Sequence, residues 1–363
     1  EVTGFPECLD GRVKTLHPSI HAGLLAIRSN PEHMKQLSDL NIETIDIVVV
    51  NLYPFKQTIL RDSVDRQTAI ENIDIGGPTM LRSAAKNYQD VAVVVDPRDY
   101  NKIIEELSRD KEVSFETKFY LCSKVFAHTA HYDTLIASYM KKERKDIDLP
   151  ETFTMTFEKV QEMRYGENPH QKAAFYKEVI KDKGLLTSAI QLHGKELSFN
   201  NINDTNGALE LLKEFDEPTV VGCKHSNPCG VGTADCISLA YKKAYEADPT
   251  SIFGGIVVAN REIDENTADE INKIFVEIVA APSFSEKALE ILKSKKNIRL
   301  LQIKEIMTKQ DENSYDLKKV AGGILVQTID SRLFPEGGEL KTVTRREPSE
   351  GEMKDLIMAW KIV

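Results

Sequence analysis

The chain alternates short apolar runs with longer segments whose apolar residues recur at helical spacing. Five short runs are rich in β-branched residues, as is typical of strands buried in a sheet: 45–51, 91–95, 219–223, 256–258 and 320–327. Segments with helical periodicity lie between them, at 79–87, 100–109, 114–139, 205–215 and 236–247. Strands that alternate with helices predict an α/β architecture, doubly wound in the first half of the chain.

A polar segment at 141–150, with the sequence KKERKDIDLP, interrupts this alternation. Charged residues that end in a proline are typical of a linker. The chain has 363 residues, and a single core stops growing near ~250 residues. We therefore predict a boundary near Pro150, with one domain at 1–150 and a second region at 151–363.

Composition excludes several classes of protein. The formal net charge is −10 and the pI is about 5.5, which argues against a general nucleic-acid binder. No apolar run is long enough to span a membrane, and no signal peptide opens the chain. The five cysteines are odd in number and include no CxxC pair, so we expect reduced thiols in the cytoplasm.

Candidate chemistry is concentrated where the predicted strand at 219–223 ends. Lys224 and His225 follow this strand, and open α/β sheets bind ligands at the carboxyl ends of their strands. A histidine can exchange a proton near neutral pH, and a lysine can stabilise developing negative charge. Gly230 and Gly232 would let backbone N–H groups approach an anion. The alternative is a solvated lysine beside a structural histidine.

Two segments of the first half could bind phosphate. Arg12, Lys14 and Thr15 place two cations and a hydroxyl in one loop. Gly76 and Gly77 precede a predicted helix and can expose its first N–H groups to an anion.

Other polar residues of the first half leave two explanations open. Asp74 fits either a ligand site or a plain turn or cap. Lys86 fits either chemistry or the favourable electrostatics of a helix C-terminus. His17 and His21 are four residues apart, but Pro18 interrupts the helix and no metal site is predicted there.

The second region contains three further candidate groups. Arg164 and Tyr165 could hold a phosphate and stack on a ring, although a structural turn uses similar residues. Phe253 beside Gly254 is either a platform for an aromatic ligand or part of the core. Glu277 lies in an apolar run and therefore needs a basic partner or a ligand. The polar segment 198–204 is explained by capping of the helix that follows.

Eight motifs, taken in order, resemble one known family. They are GRVKTLHP at 11–18, NLYPF at 51–55, DIGG at 74–77, AAKN at 84–87, RYGENPHQ at 164–171, KHSNP at 224–228, FGG at 253–255 and APSF at 281–284. This set is similar to the PurH family of bifunctional purine-biosynthesis enzymes, which combine AICAR transformylase with IMP cyclohydrolase. The resemblance extends over essentially all 363 residues.

The resemblance implies a methylglyoxal-synthase-like domain that carries the cyclohydrolase, followed by a cytidine-deaminase-like transformylase region without the catalytic zinc. The transformylase passes a formyl group from the cosubstrate 10-formyltetrahydrofolate to the 5-amino group of AICAR. The cyclohydrolase closes the ring of the product, FAICAR, to give IMP with loss of water. No catalytic metal is implied, and binding of a monovalent cation is left open.

The resemblance also assigns residues to the cyclohydrolase site. Lys86 would transfer protons during ring closure, assisted by Lys14, Tyr53 and Asp74. The residues that would hold the nucleotide are Arg12, Lys14, Thr15, Asn51, Asp74, Ile75, Gly76 and Gly77.

In the transformylase site, the resemblance makes His225 the base that removes the amine proton, while Lys224 stabilises charge on the transferring formyl group. The substrate-binding residues would be Arg164, Tyr165, Asn227, Phe253, Gly254 and Glu277. Glu277 stands where the family can place an aspartate. Because its side chain is longer than that of aspartate, the resemblance does not decide whether Glu277 contacts the folate.

The family is a homodimer whose transformylase sites form at the subunit contact. An upstream strand and loop of the family, and the remainder of its transformylase, are not matched by these residues. We therefore expect the isolated chain to catalyse both reactions poorly. The alternative function is a purine-ribonucleotide-binding fragment without turnover. A zinc deaminase is disfavoured because no His-x-Glu occurs with Pro-Cys-x-x-Cys.

Overall fold

A computed structural model describes residues 3–6, 8–144, 149–179, 183–334, 338 and 340–363. The chain divides into two compact units, Glu1–Phe157 and Glu158–Val363. No helix among the described residues is both long enough and apolar enough to cross a membrane.

The first unit is built on a parallel pair of strands. β1 (Ile47–Val49) pairs with β2 (Ala92–Val94), so that Val48 lies opposite Val93. The helices of this unit are α1 (Pro18–Leu25), α2 (Pro31–Asp39), α3 (Phe55–Ile59), α4 (Arg66–Glu71), α5 (Gly76–Lys86), α6 (Tyr100–Asp110) and α7 (Phe115–Arg144). The strands and helices predicted from periodicity are therefore present, with somewhat different ends.

The core of the first unit lies between these strands and helices α5 and α7. Leu81 and Ala84 of α5 and Val125 of α7 are fully buried with Val93 of β2. Buried positions recur three or four residues apart on each helix, so one face of each helix is apolar and is removed from water.

The second unit contains a mixed six-stranded sheet. Its strands are β5 (Ile190–His193), β6 (Thr219–Lys224), β7 (Asn227–Thr233), β8 (Ile256–Ala259), β9 (Ile278–Ala281) and β10 (Arg299–Gln302), in the spatial order β5-β10-β9-β8-β6-β7. β8, β9 and β10 are parallel. β6 is antiparallel to both β7 and β8. The carboxyl end of β6 therefore lies beside the amino ends of β8 and β9, and not beside other carboxyl ends as the sequence suggested.

Helices cover both faces of this sheet. They are α8 (Phe199–Leu212), α9 (Ile237–Ala247), α10 (Glu265–Asn272) and α11 (Glu286–Lys293). Leu209 of α8 packs with Val221 of β6 on one face, whereas Ala240 of α9 packs with Val220 on the other. Successive residues of β6 are thus buried on opposite faces, which explains the unbroken apolar run in this strand.

The prediction of an inner strand at 320–327 was wrong. The segment belongs to a two-stranded antiparallel hairpin, β11 (Tyr315–Val320) and β12 (Gly323–Thr328). Gly322 takes a positive φ of 75° in the connecting turn. Leu325 is 59% exposed. Gly322 and Gly323 allow a tight turn at the point where an inner strand would have continued. The remaining elements are β3 (Phe157–Met163), β4 (Ala173–Glu178) and α12 (Glu350–Ile362).

Candidate functional sites

Asp74 organises the candidate site of the first unit. Its Oδ1 accepts the N–H of Gly77 at 2.7 Å, and its Oδ2 accepts the N–H of Tyr53 at 3.2 Å. Its own N–H donates to the hydroxyl of Tyr132 at 3.0 Å, and that hydroxyl donates to the carbonyl of Asn72 at 3.2 Å. Asp74 therefore joins the loop after β1 to the start of α5, where it precedes the N-cap residue Ile75.

Thr15 lies against the first residues of α5. A Cβ atom added to Gly76 would be 2.5 Å from Thr15 Oγ1, and one added to Gly77 would be 2.7 Å from Asp74 Oδ2. A side chain at either glycine would therefore have to displace the Thr15 hydroxyl or the Asp74 carboxylate. Tyr53 and Ile75 are 49% and 58% exposed, so a ligand can reach this cluster from solvent.

Three predicted nucleotide-binding residues lie at the surface around this cluster. Arg12 forms an ion pair with Glu71, with both side chains substantially exposed. The Arg12 guanidinium is therefore already paired with a carboxylate, which a phosphate would have to replace. Asn51 is exposed in the loop that follows β1, and Lys14 is exposed one residue before Thr15.

Lys86 lies apart from this cluster. It is the last residue of the 11-residue helix α5, which places its backbone about 15 Å along the axis from Gly76 at a rise of ~1.5 Å per residue. Its side chain lines a shallow cavity with Leu25, Thr79, Arg82, Ser83 and Phe126. The expectation that Lys86 acts beside Asp74 and Tyr53 does not match this arrangement, because the length of the helix separates them.

The candidate site of the second unit begins at the turn between β6 and β7. Lys224 pairs with Asn227 across this hairpin. His225 and Ser226 form the two-residue turn, with positive φ angles of 55° and 59°. Two positive φ angles in succession match the twist of paired strands, but each costs a non-glycine residue roughly 1–3 kcal/mol. His225 is exposed, so its imidazole is open to a substrate.

Side chains from α8 hold this turn. Asp204 Oδ2 accepts the N–H of His225 at 3.2 Å, and Asp204 Oδ1 accepts the hydroxyl of Ser226 at 3.0 Å. The amide of Asn203 donates to Ser226 Oγ at 2.7 Å. The amide of Asn227 donates to the carbonyl of His225 at 2.8 Å.

Sequence reasoning assigned the whole segment 198–204 to capping and so missed these contacts. Ser198 and Asn201 do form a capping box at the start of α8. Asn203 and Asp204 are further along the helix. Two short polar side chains beyond the first turn of a helix were the available signal, because helix interiors disfavour such residues.

Lys224 contacts the loop that enters β8. Its Nζ donates to the carbonyl of Phe253 at 3.0 Å. A Cβ added to Gly255 would be 2.7 Å from the carbonyl oxygen of Cys223. The Phe253 ring is 55% exposed and lies 5.8 Å from the ring of Phe275, centroid to centroid. Phe253 is therefore an accessible aromatic surface beside the lysine and not a core residue.

Gly254 completes this loop with a positive φ of 72°. Its N–H donates to the carbonyl of Phe275 at 2.7 Å. A glycine is favoured here because residues with a side chain rarely adopt this φ.

Glu277 has both a polar and a basic neighbour. Its Oε2 accepts the amide of Asn201 at 2.7 Å and lies 3.7 Å from Arg299 Nη1. The backbone N–H of Glu277 donates to the carbonyl of Gly255 at 2.9 Å. This carboxylate therefore belongs to the same end of the sheet as Lys224, and the basic partner that the apolar run required is Arg299.

Arg164 and Tyr165 lie in the turn after β3. The Arg164 guanidinium carbon is 5.7 Å from the centroid of the Tyr165 ring, a distance at which a cation and a ring attract. Gly166 and Gln171 close the turn through a backbone hydrogen bond of 2.9 Å. Within the described ranges, neither Arg164 nor Tyr165 is hydrogen-bonded to Lys224 or His225.

The prediction that Gly230 and Gly232 cradle an anion was wrong. A Cβ on Gly230 would be 1.9 Å from the carbonyl oxygen of Ala244, and one on Gly232 would be 2.1 Å from that of Ala240. Both glycines of β7 are pressed against helix α9. Their small size is needed for strand–helix packing, which leaves no space for a ligand.

The cysteines and metal-binding residue types form no further site in the described residues. The five cysteines are free thiols, and burial raises the pKa of Cys223 to about 12, so it stays protonated at neutral pH. No group of three or more His, Cys, Asp or Glu side chains in the described part of the chain could hold a metal ion.

Comparisons with known proteins match nearly the whole chain. Residues 1–79 match the family described as MGS-like domain, and residues 84–363 match the AICARFT/IMPCHase bienzyme family. The bifunctional purine biosynthesis proteins PurH of Ruminiclostridium cellulolyticum and Acetivibrio thermocellus are each 66% identical over 363 residues, which is 100% of this chain and 70% of each relative. PurH of Bacillus cereus strain AH187 is 57% identical over the same shares.

A crystal structure of ForH is 33% identical, covering 38% of this chain and 71% of ForH, with a TM-score of 0.33. A score this low supports no argument about the fold.

Proposed function

The chain belongs to the AICARFT/IMPCHase bienzyme family, and from this premise we propose which residues perform each of its two reactions. Its function is the last two steps of IMP synthesis: formylation of AICAR to FAICAR, with 10-formyltetrahydrofolate as the cosubstrate of the family, and ring closure of FAICAR to IMP. Identity of 66% over the whole chain carries this conclusion. The residue assignments below are our own inference.

Formyl transfer is proposed to occur at the end of β6. The 5-amino group of AICAR attacks the formyl carbon of the folate, and the exposed imidazole of His225 takes the proton that the amine loses. The bond between the formyl carbon and N10 of the folate then breaks, and tetrahydrofolate leaves with a proton on N10. Lys224, anchored on the carbonyl of Phe253, stabilises negative charge on the formyl oxygen. The exposed Phe253 ring offers a stacking surface to a flat ligand.

Substrate contacts around this centre complete the proposal. Glu277 keeps a carboxylate at the same end of the sheet through Asn201 and Arg299. Asn227 and Gly254 support the two loops that meet there. Arg164 and Tyr165 supply a cation on a ring, which suits a ribonucleotide.

Ring closure is proposed to occur at the start of α5. Thr15, beside the first residues of this helix, suits the nucleotide phosphate, with Arg12, Asn51, Ile75, Gly76 and Gly77 around it. The N–H of Gly77 is donated to Asp74. Lys14, Tyr53 and Asp74 handle the protons that ring closure and loss of water require. The resemblance predicts that Lys86 transfers protons in this reaction. Its position at the far end of α5 from Gly76 argues against direct action beside Asp74.

Assembly and surroundings follow from the same premise. We propose a homodimer in the cytoplasm that binds no nucleic acid, in keeping with a net charge of −10. Light scattering that gave the mass of a single chain at micromolar concentration would contradict the dimer. Binding of a monovalent cation is tested by comparing turnover in a potassium buffer with turnover in a buffer that contains a bulky organic cation.

The assignment is tested by assaying both reactions in His225→Ala, Asp74→Asn and Lys86→Ala variants of the complete protein. We expect His225→Ala to slow formyl transfer by about 10²–10⁴-fold and to leave ring closure unchanged, because general bases contribute factors of that size. Asp74→Asn is expected to do the reverse. Lys86→Ala is expected to affect ring closure much less than Asp74→Asn.

Each variant serves as the control for the other site. Calorimetric titration with AICAR and with IMP measures binding even where turnover is slow. Equal losses of both reactions in His225→Ala, with an unchanged circular dichroism spectrum, would refute the division of labour.

A further inference from the structure

The turn that carries His225 is strained, and one helix holds it. We propose that Asp204 is a positioning residue for formyl transfer: it holds His225 in the left-handed conformation that aims its imidazole. This inference rests on the proposed role of His225 as the base. It adds a residue that sequence reasoning had assigned to helix capping.

The conformation of the turn is the first step of the argument. Both His225 and Ser226 have positive φ, 55° and 59°. Hairpin turns of this geometry normally use Asn or Gly, which adopt positive φ most easily. His225 and Ser226 therefore need outside contacts to keep this conformation.

Those contacts form a consistent set of donors and acceptors. Asp204 uses both oxygens, one for the His225 N–H and one for the Ser226 hydroxyl. Because the Ser226 hydroxyl donates its only proton to Asp204, its oxygen is available to the Asn203 amide, which donates to it at 2.7 Å. Two neighbouring residues of α8 thus fix two neighbouring residues of the turn.

Helix α8 is a rigid base for these contacts. We call the hydrogen bonds that Asn203 and Asp204 form with His225 and Ser226 the clamp. Ala208 and Leu209, on the turn of helix that follows Asp204, are 1% exposed and pack against the sheet. A side chain on a packed helix is more accurately placed than one on a loop. The clamp therefore fixes the exposed His225 in position relative to helix α8 and the sheet.

Loss of the clamp should change where the imidazole points. A change of φ from the left-handed to the extended region swings the Cβ of His225, and the whole ring moves with it. Small misplacements of a catalytic group reduce turnover by about 10²-fold. The expected signature is a lower kcat for formyl transfer with a nearly unchanged KM for AICAR, since Asp204 contacts the turn and not the substrate in this proposal.

The test uses Asp204→Ala and Asp204→Ala combined with Ser226→Gly. We expect Asp204→Ala to lower kcat for formyl transfer by about 10²-fold. The Ser226→Gly change in the double variant lets the turn adopt positive φ without a clamp and should recover a large part of that loss. The matched control is Asp269→Ala, which removes an exposed carboxylate from helix α10 and should keep the parental kcat.

A second readout does not depend on turnover. In protein labelled with ¹³C at histidine Cε1, Asp204→Ala should shift or broaden the His225 signal and leave the signals of the other histidines in place. The Ser226→Gly change should restore it. An unchanged His225 signal in Asp204→Ala, or a loss of kcat that Ser226→Gly does not recover at all, would overturn the positioning role.

Failure of the clamp and failure of the proposed base give different results. If His225 is not the base, His225→Ala retains formyl transfer whatever Asp204 does. If His225 is the base but Asp204 does not position it, His225→Ala loses activity while Asp204→Ala keeps it. Where both proposals hold, Asp204→Ala and His225→Ala are far from additive, because a misplaced imidazole has little left to lose.

Discussion

The aspartates Asp74, Asp204 and Asp96 have three different roles in this protein. Asp74 accepts two backbone N–H groups and joins a loop to the start of α5. Asp204 holds a strained turn. Asp96 forms an ion pair with Lys124, which also contacts Asp99. The role of each carboxylate follows from its partners, and each aspartate has a partner that is distant in sequence: Tyr53 for Asp74, His225 for Asp204 and Lys124 for Asp96.

The ion pair of Asp96 gives a prediction about pH. Hydrogen bonds from Arg98 and then from Lys124 hold the pKa of Asp96 well below its usual value, so the charged form stabilises the fold. This stability is present above the unfolded pKa of about 3.9 and is lost as pH falls through the lower folded pKa. We expect Asp96→Asn to lower the free energy of unfolding at pH 7 by about 1–3 kcal/mol.

Urea unfolding at a series of pH values checks this prediction. The difference between parent and Asp96→Asn should shrink as the pH is lowered below about 4. Asp110, which pairs with its neighbour Arg109 at the surface, is the matched control, and Asp110→Asn should have a much smaller effect at pH 7. A loss in Asp96→Asn that was the same at all pH values would rule out the ion pair as its cause.

At the scale of elements, the contact between β7 and α9 shows how glycine can serve packing. Gly230 and Gly232 are two residues apart, so both face α9 from the same side of the strand. Their missing side chains allow the helix backbone to approach to within a distance that any Cβ would block. The close approach buries Ala240 and Ala244 of α9 completely.

This packing predicts a large effect of one added methyl group. Gly230→Ala would place its Cβ 1.9 Å from the carbonyl oxygen of Ala244, and we expect a loss of about 3 kcal/mol or more in the free energy of unfolding, measured by urea denaturation. Gly351→Ala is the control, because nothing lies within 4 Å of that position in α12. It should raise stability by up to about 1 kcal/mol through better helix propensity. Parental stability in Gly230→Ala would show that α9 does not approach β7 this closely.

At the scale of the whole molecule, each unit has its own core and its own candidate site. Leu81 and Val93 belong to the core of the first unit, and Val221 and Leu209 belong to a core of the second. Each candidate site combines loops from different strands with the start or the side of one helix. Neither arrangement includes a cluster of metal-ligating side chains among the described residues.

We expect removal of zinc to leave the protein unchanged, because the sequence contains no His-x-Glu with Pro-Cys-x-x-Cys. After dialysis against EDTA, we expect no stoichiometric zinc in either treated or untreated protein, and the same thermal unfolding midpoint. His225→Ala removes a histidine, a residue type that can bind zinc, from the second site. This variant should contain the same amount of zinc as its parent. Stoichiometric zinc that EDTA removes, with a fall in the midpoint, would contradict this expectation.

The sequence alone determined the α/β class, the approximate positions of the most apolar strands and of helices α5 to α9, and the family, since periodicity and ordered motifs are local properties of the chain. It also singled out Lys224, His225, Phe253 and Glu277, which the structure places at one end of the second sheet. Lys224 and His225 lie at the carboxyl end of β6, whereas Phe253 and Glu277 precede β8 and β9, and they share one end of the sheet because β6 is antiparallel to β8.

Tertiary structure alone decided strand direction, distance and partners. β6 runs antiparallel to β8, and α9 packs on Gly230 where the sequence suggested a ligand. Asp204 finds His225 across 21 residues of sequence. Pairing and packing join positions that are distant along the chain, so local patterns reveal which residues can act but not which residues meet.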